Sequence, residues 1–229
     1  MKACLNGGRT RAEHLAVPQS PAELAADSVA VRHAGAFAVH VHPRDRAGAQ
    51  TMGAAECGAA IGAIRAAVPG LAVGLSTSEA INPDPFARAA AVRAWRLRPD
   101  FVSVNLSELG WAGIVRAAVH AGIAVEAGLA TAADGEELLR SPFSHQLLRA
   151  LVEVDGGVDE ARAIAALIPS GVSQLWHGYG EHTWEVISAG AAAGFDVRVG
   201  LEDVLVLPDG RVAANNAELV AAAVELVAP

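Results

Sequence analysis

Eight short apolar runs, each followed by an alanine-rich stretch of helical character, divide the 229-residue chain from end to end. The runs cover 2–6, 38–43, 72–77, 101–107, 123–129, 149–155, 172–178 and 196–203. Helical segments are expected near 21–34, 53–68, 84–97, 110–121, 132–140, 158–168, 181–193 and 214–227. Ser20-Pro21, Asn82-Pro83-Asp84 and Asn215-Asn216 are start signals, and Gly35, Gly70, Gly122, Gly171 and Gly194 fall where helices should stop. Strands that alternate with helices pair in parallel. Eight such units with no segment left over predict a single-domain (β/α)8 TIM barrel over 1–229, with an open doubly wound sheet as the other arrangement of the same units. The glycines after the first run lack the spacing of a dinucleotide-binding loop.

Hydrophobic residues make up 52% of the chain and aromatics only 4%, which suits small side chains packed between helices and a parallel sheet. A net charge of −8 without any basic tract argues against nucleic acid and anionic membrane as partners. Two cysteines, Cys4 and Cys57, give no disulfide framework, and the start of the chain has no signal-peptide pattern. These features predict a cytoplasmic protein with reduced thiols.

Side chains alternate faces along a strand. In four runs one face is apolar and the other polar: Val39 and Val41 oppose His40 and His42; Val102 and Val104 oppose Ser103 and Asn105; Val125 and Ala127 oppose Glu126; Val197, Val199 and Leu201 oppose Arg198 and Glu202. The face under the helices must be apolar, so the polar sets are expected inside the barrel, and those near the carboxyl ends of strands mark a catalytic mouth.

His40 and His42 stand two apart and project the same way, close to Pro43, which ends the run. Two imidazoles so placed suit one Zn²⁺, and Glu202 from the last strand, which closes beside the first, supplies a third ligand with charge. Two His and one Glu with an open position form a catalytic zinc pattern. His177 is a rival ligand or a hydrogen-bond partner to the site. Arg198 and Asp203 read as a substrate-binding and acid–base pair, or as a plain ion pair closing the barrel. Ser76, Ser103 and Asn105 offer neutral donors for substrate oxygens or for loop backbone. On these residues alone a zinc hydrolase, a metal-dependent aldolase and a non-catalytic metabolite-binding barrel all stay open.

The segments Val39-His40-Val41-His42-Pro43-Arg44-Asp45, Leu75-Ser76-Thr77, Ser103-Val104-Asn105, Arg198-Val199-Gly200-Leu201-Glu202-Asp203 and Asn216-Ala217-Glu218-Leu219-Val220, in this order, resemble the β-keto acid cleavage enzymes. The resemblance implies a zinc-dependent barrel, a homotetramer, that takes a β-keto acid and acetyl-CoA to acetoacetate and a new acyl-CoA. It implies His40, His42 and Glu202 as zinc ligands, Arg198 and Asp203 as the carbanion-generating dyad, and Ser76, Ser103, Asn105 and Glu126 at the substrate. On this route Asp203 is expected to take its proton from acetyl-CoA. Gly8-Arg9 stands where the amino-hexanoate-cleaving member has an acid that holds an ammonium, so an acidic or neutral tail is expected. The chain is also shorter than that member after the fourth and sixth strands.

Overall fold

All eight expected strands are present, parallel and closed on themselves. The computed structural model describes residues 1–228, and its barrel order is β1 through β8 with β8 returning to β1. The strands are β1 (Lys2–Cys4), β2 (Ala38–Val41), β3 (Ala72–Ser76), β4 (Phe101–Asn105), β5 (Ala124–Leu129), β6 (Arg149–Val154), β7 (Gln174–Gly178) and β8 (Asp196–Val199). Each is followed by a helix: α1 (Pro21–His33), α2 (Ala54–Ala67), α3 (Pro85–Ala94), α4 (Trp111–His120), α5 (Ala132–Arg140), α6 (Val158–Ala165), α7 (Thr183–Ala192) and α8 (Asn216–Leu226). Among the described residues no helix is long and apolar enough to cross a membrane.

Local chemistry sets the helix ends. Ser20 and Glu23 form a capping box ahead of α1, Thr131 and Asp134 do the same for α5, and Asn215 accepts the Glu218 N–H at the start of α8. α4 stops at Gly122, whose φ of +70° suits a residue without Cβ, while Ile123 N–H reaches back to the Ala118 carbonyl.

The valines of the alternating runs lie beneath the helices, buried with Leu24, Ile61, Ile64, Val92, Ile114 and Leu219. The inward face is polar and layered. At the amino-terminal end Lys2 Nζ lies 2.5 Å from one oxygen of Glu126, Arg149 Nε lies 2.8 Å from the other, and Arg149 also bonds Asp196 at 2.6 Å. The Phe101 ring fills the space over Gly74, where a Cβ would come within 2.0 Å of it, and Lys2 sits over that ring. This charged floor leaves the opposite end as the mouth.

β8 ends four residues earlier than the sequence suggests. Gly200 packs so close to β1 that a Cβ there would lie 2.0 Å from the Cys4 carbonyl, and the N–H groups of Asp203 and Val204 both turn back to the Gly200 carbonyl. Glu202 and Asp203 therefore stand on a turn rather than on the strand.

Candidate active site

His40 lies near the end of β2 and His42 just past it. Asn6, just past β1, holds the backbone there: its Oδ1 accepts the His42 N–H at 2.8 Å, and its Nδ2 donates to the His42 carbonyl at 2.9 Å and to that of Pro18 at 3.0 Å. The two Nε2 atoms face each other at 3.1 Å. Two nitrogens about 2.0–2.1 Å from one tetrahedral ion stand roughly 3.3 Å apart. Gln50 Oε1 lies against His42 Nδ1. A carbonyl oxygen only accepts, so it draws the proton to Nδ1 and leaves the Nε2 lone pair free.

Glu202 reaches the pair from the turn after β8, with Oε1 3.7 Å from His42 Nε2. One ligand atom from each of His40, His42 and Glu202 lies within 4.8 Å of the others. Gly7 makes this approach feasible: with φ +49°, a Cβ there would fall 2.4 Å from Glu202 Cγ. Glu202 Oε2 and His40 Nδ1 are buried with no hydrogen-bond partner among the described residues. Burial pushes His40 well below the usual imidazole range, and it also lowers His42 against the pull of Glu202. Two neutral imidazoles and a carboxylate with an unclaimed oxygen fit a divalent cation.

Beside them, Arg198 Nη2 donates to Asp203 Oδ1 at 2.6 Å and to Glu202 Oε1 at 3.1 Å. Burial works against the guanidinium, but Asp203 and Glu202 outweigh it and keep Arg198 charged. Burial raises the Asp203 carboxyl above its ordinary range, with Arg198 pulling the other way. Asp203 Oδ2 is buried with no hydrogen-bond partner among the described residues. His177 is not in the three-ligand cluster. It lies between two carboxylates, with Nδ1 3.7 Å from Asp203 Oδ1 and Nε2 3.4 Å from Glu153 Oε2.

Ser76 and Ser103 are buried neighbours across the β3–β4 pairing, and Asn105 ends β4 with its Nδ2 on Glu108 Oε1 at 3.1 Å. Glu126 neighbours Ser103 across the β4–β5 pairing, yet it is fully buried and both its oxygens are taken by Lys2 and Arg149. Lys2 and Arg149 outweigh burial and hold its carboxyl below the usual range. Sequence reasoning missed Glu153, Tyr179, Gln50 and Asn6. Glu153 had a signal: in 149–155, Arg149, Leu151 and Glu153 alternate with Ala150, Val152 and Val154, as in the four runs already read.

The family model of the beta-keto acid cleavage enzymes matches residues 1–142 and 157–229. No curated protein matches in sequence. Among solved structures, the ternary complex of ObcA with C4-CoA adduct and oxalate superposes with a TM-score of 0.71 at 17% identity, covering 90% of this chain and 62% of ObcA. The binary complex of ObcA with oxaloacetate gives 0.69 at 17% identity with the same coverage of both chains, 90% and 62%. This chain thus spans about three-fifths of the ObcA length. The 3-hexulose-6-phosphate synthase of Salmonella typhimurium gives 0.57 at 16% identity, covering 98% of both chains. At such identities these likenesses speak to the barrel alone. With the family model matched over nearly the whole sequence, the chain belongs to the beta-keto acid cleavage enzyme family.

Proposed function

We propose that this barrel is a zinc-dependent enzyme that converts a β-keto acid and acetyl-CoA into acetoacetate and a new acyl-CoA. The observation that carries this reading is the convergence of His40, His42 and Glu202 beside the buried Arg198–Asp203 pair at the barrel mouth. The names of the ObcA complexes, which include oxaloacetate (itself a β-keto acid) and a CoA adduct, point the same way. Two nitrogen donors and one oxygen donor suit zinc.

When bound by these three side chains, the ion supplies Lewis-acid polarisation and neutralises charge on substrate oxygens. Asp203 is the base, and Arg198 orients it and keeps a cation beside it. Atom balance corrects the expectation that the proton comes from acetyl-CoA. Acetoacetate contains the acetyl group joined to the carboxymethyl unit of the acid, so the new bond must start at C2 of the β-keto acid. Asp203 therefore takes a C2 proton, which lies between ketone and carboxylate. The C2 carbanion attacks the thioester carbon, and CoA leaves as thiolate. The thiolate adds to the original ketone carbon, the bond from that carbon to C2 breaks, and C2 regains a proton from Asp203. Ser76, Ser103 and Asn105 hold substrate oxygens through this sequence. Glu126 acts from below, by keeping Lys2 and Arg149 in place. We place the enzyme in the cytoplasm as a homotetramer.

The test is a panel of β-keto acids offered with acetyl-CoA to zinc-loaded protein, with products followed by mass spectrometry. A new acyl-CoA and acetoacetate in equal amounts are expected. Release of acetate and acyl-chain acid without any new thioester would contradict the reading.

A further inference from the structure

On the β3 and β4 side, the mouth is tied to one buried ion pair that takes no part in the metal cluster or the Arg198–Asp203 pair. Arg88, in the first turn of α3, is fully buried, and Glu108, between β4 and α4, is nearly so. The two side chains are in direct contact, Arg88 Nη1 donating to Glu108 Oε2. Nη1 also donates to the Thr77 carbonyl at 3.0 Å and Nη2 to the Leu109 carbonyl at 2.9 Å, so the guanidinium bridges the loops that follow β3 and β4. The same loops meet where Gly110, at a φ of +75°, passes Pro85: a Cβ there would lie 2.4 Å from Pro85 Cβ.

The three neutral residues assigned above to substrate oxygens all connect to this pair. Glu108 Oε1 accepts from Asn105 Nδ2 at 3.1 Å and from Ser78 Oγ at 3.0 Å. A carboxylate only accepts, so it fixes which end of the Asn105 amide faces it, and an amide nitrogen with one hydrogen on Glu108 keeps its second for another acceptor. The Ser78 N–H in turn donates to Ser76 Oγ at 3.2 Å, which leaves the Ser76 hydroxyl hydrogen to donate elsewhere. Thr77, whose carbonyl Arg88 holds, donates from Oγ1 to the Ser103 carbonyl at 2.7 Å. A buried ion pair adds little stability by itself, because taking both charges out of water offsets their attraction. What this one adds is a fixed geometry for the groups bonded to it.

We propose that Glu108, backed by Arg88, is a positioning residue for substrate binding: it holds the Asn105 amide, and through Ser78 the Ser76 hydroxyl, with N–H and O–H groups available to substrate oxygens. The proposal rests on the cleavage reading above and deepens it by naming what sets the binding wall. Without the carboxylate the Asn105 amide is free to turn end for end and to offer an acceptor where a substrate oxygen needs a donor. Neither Arg88 nor Glu108 hydrogen-bonds His40, His42 or Glu202 among the described residues. The effect therefore falls on affinity, which Ser76, Ser103 and Asn105 supply to ground and transition states alike.

The experiment is a double-mutant cycle on zinc-loaded full-length protein. Kinetics use the β-keto acid that the panel turns over best, and calorimetry uses 3-oxohexanoate without acetyl-CoA. Glu108→Gln keeps the volume, but its oxygen goes to Arg88 and its amide nitrogen turns toward Asn105. KM and Kd should rise about tenfold or more, kcat should change less than about threefold, and zinc should stay at one per chain. In an Asn105→Ala background the same change should add less than about threefold, because the two residues act as a unit. Arg88→Lys, which keeps a cation on Glu108, should lose less affinity than Arg88→Met. If Glu108→Gln does not fold, the cycle is run with Ser78→Ala, which removes one hydrogen bond from Oε1 and should cost about threefold only while Asn105 is present. If no β-keto acid is turned over but calorimetry gives these Kd changes, the cleavage reading fails and the positioning role stands. Unchanged KM and Kd in folded Glu108→Gln protein, a loss confined to kcat, losses that add in the cycle, or no binding of any β-keto acid to the wild type overturns the positioning role.

Discussion

Single side chains at the mouth have separable tasks. Asp203→Asn keeps the shape of the Arg198 contact but removes the base, so kcat should fall about 10²–10⁴-fold with zinc content unchanged. Steady-state kinetics together with metal analysis checks this, and loss of zinc in that variant would mean that Asp203 is a ligand. Gly7→Ala should do the reverse. Its Cβ would strike Glu202 Cγ at 2.4 Å, at a backbone φ of +49° that already disfavours a side chain. Zinc affinity should drop at least tenfold in a competition titration. That His40, His42 and Glu202 would meet was legible in the sequence from the spacing of the two histidines and the closure of the last strand on the first, and Asp203 stood out only as the neighbour of Glu202 where the alternation breaks down. Asn6 and Gln50 were not legible. They act through contacts across 36 and 8 residues of chain, and nothing in their local pattern announces them.

At the level of elements, the turn after β8 carries half of the site, and α8 holds it. Asn216, at the start of α8, accepts the Leu201 N–H at 2.7 Å and donates to the Leu5 carbonyl at 2.8 Å and to Asp27 of α1 at 2.7 Å. Asn216→Ala leaves these buried groups unpaired and should cost about 3 kcal/mol in chemical denaturation, with weakened zinc binding. Asp27 gives a pH signature. Burial raises its pKa from 3.8 to about 6, opposed by the Asn216 hydrogen bond. The folded state therefore binds more protons than the unfolded state between these values, and stability falls as pH rises through that window. Asp27→Asn, which can still accept from Asn216, should raise stability by on the order of 2 kcal/mol at pH 7.5 and by nothing at pH 3.5. Equal gains at both pH values would assign the effect to packing. Helix ends were legible from Ser20, Asp84, Asn215 and the terminal glycines, whereas the end of β8 was not: Val197, Val199 and Leu201, alternating with Arg198 and Glu202, continue the strand pattern, and only the close contact of Gly200 with Cys4 breaks it.

For the whole molecule, the barrel separates a charged floor from a reactive mouth. The sequence showed Glu126 as an inward charge in need of partners but not that Lys2 and Arg149 supply them, since each stands at the very start of its strand, 124 and 23 residues away along the chain. Lys2→Met would leave Glu126 with Arg149 alone and should destabilise the fold by about 3–5 kcal/mol without changing the zinc stoichiometry. The measurement closest to the central claim is turnover of a β-keto acid with acetyl-CoA before chelation, after it, and after zinc is returned, alongside metal content. One zinc per chain, activity lost on stripping and restored on addition, and neither metal nor activity in His40→Ala are the predicted results. Turnover at the full rate by metal-free protein would contradict the account.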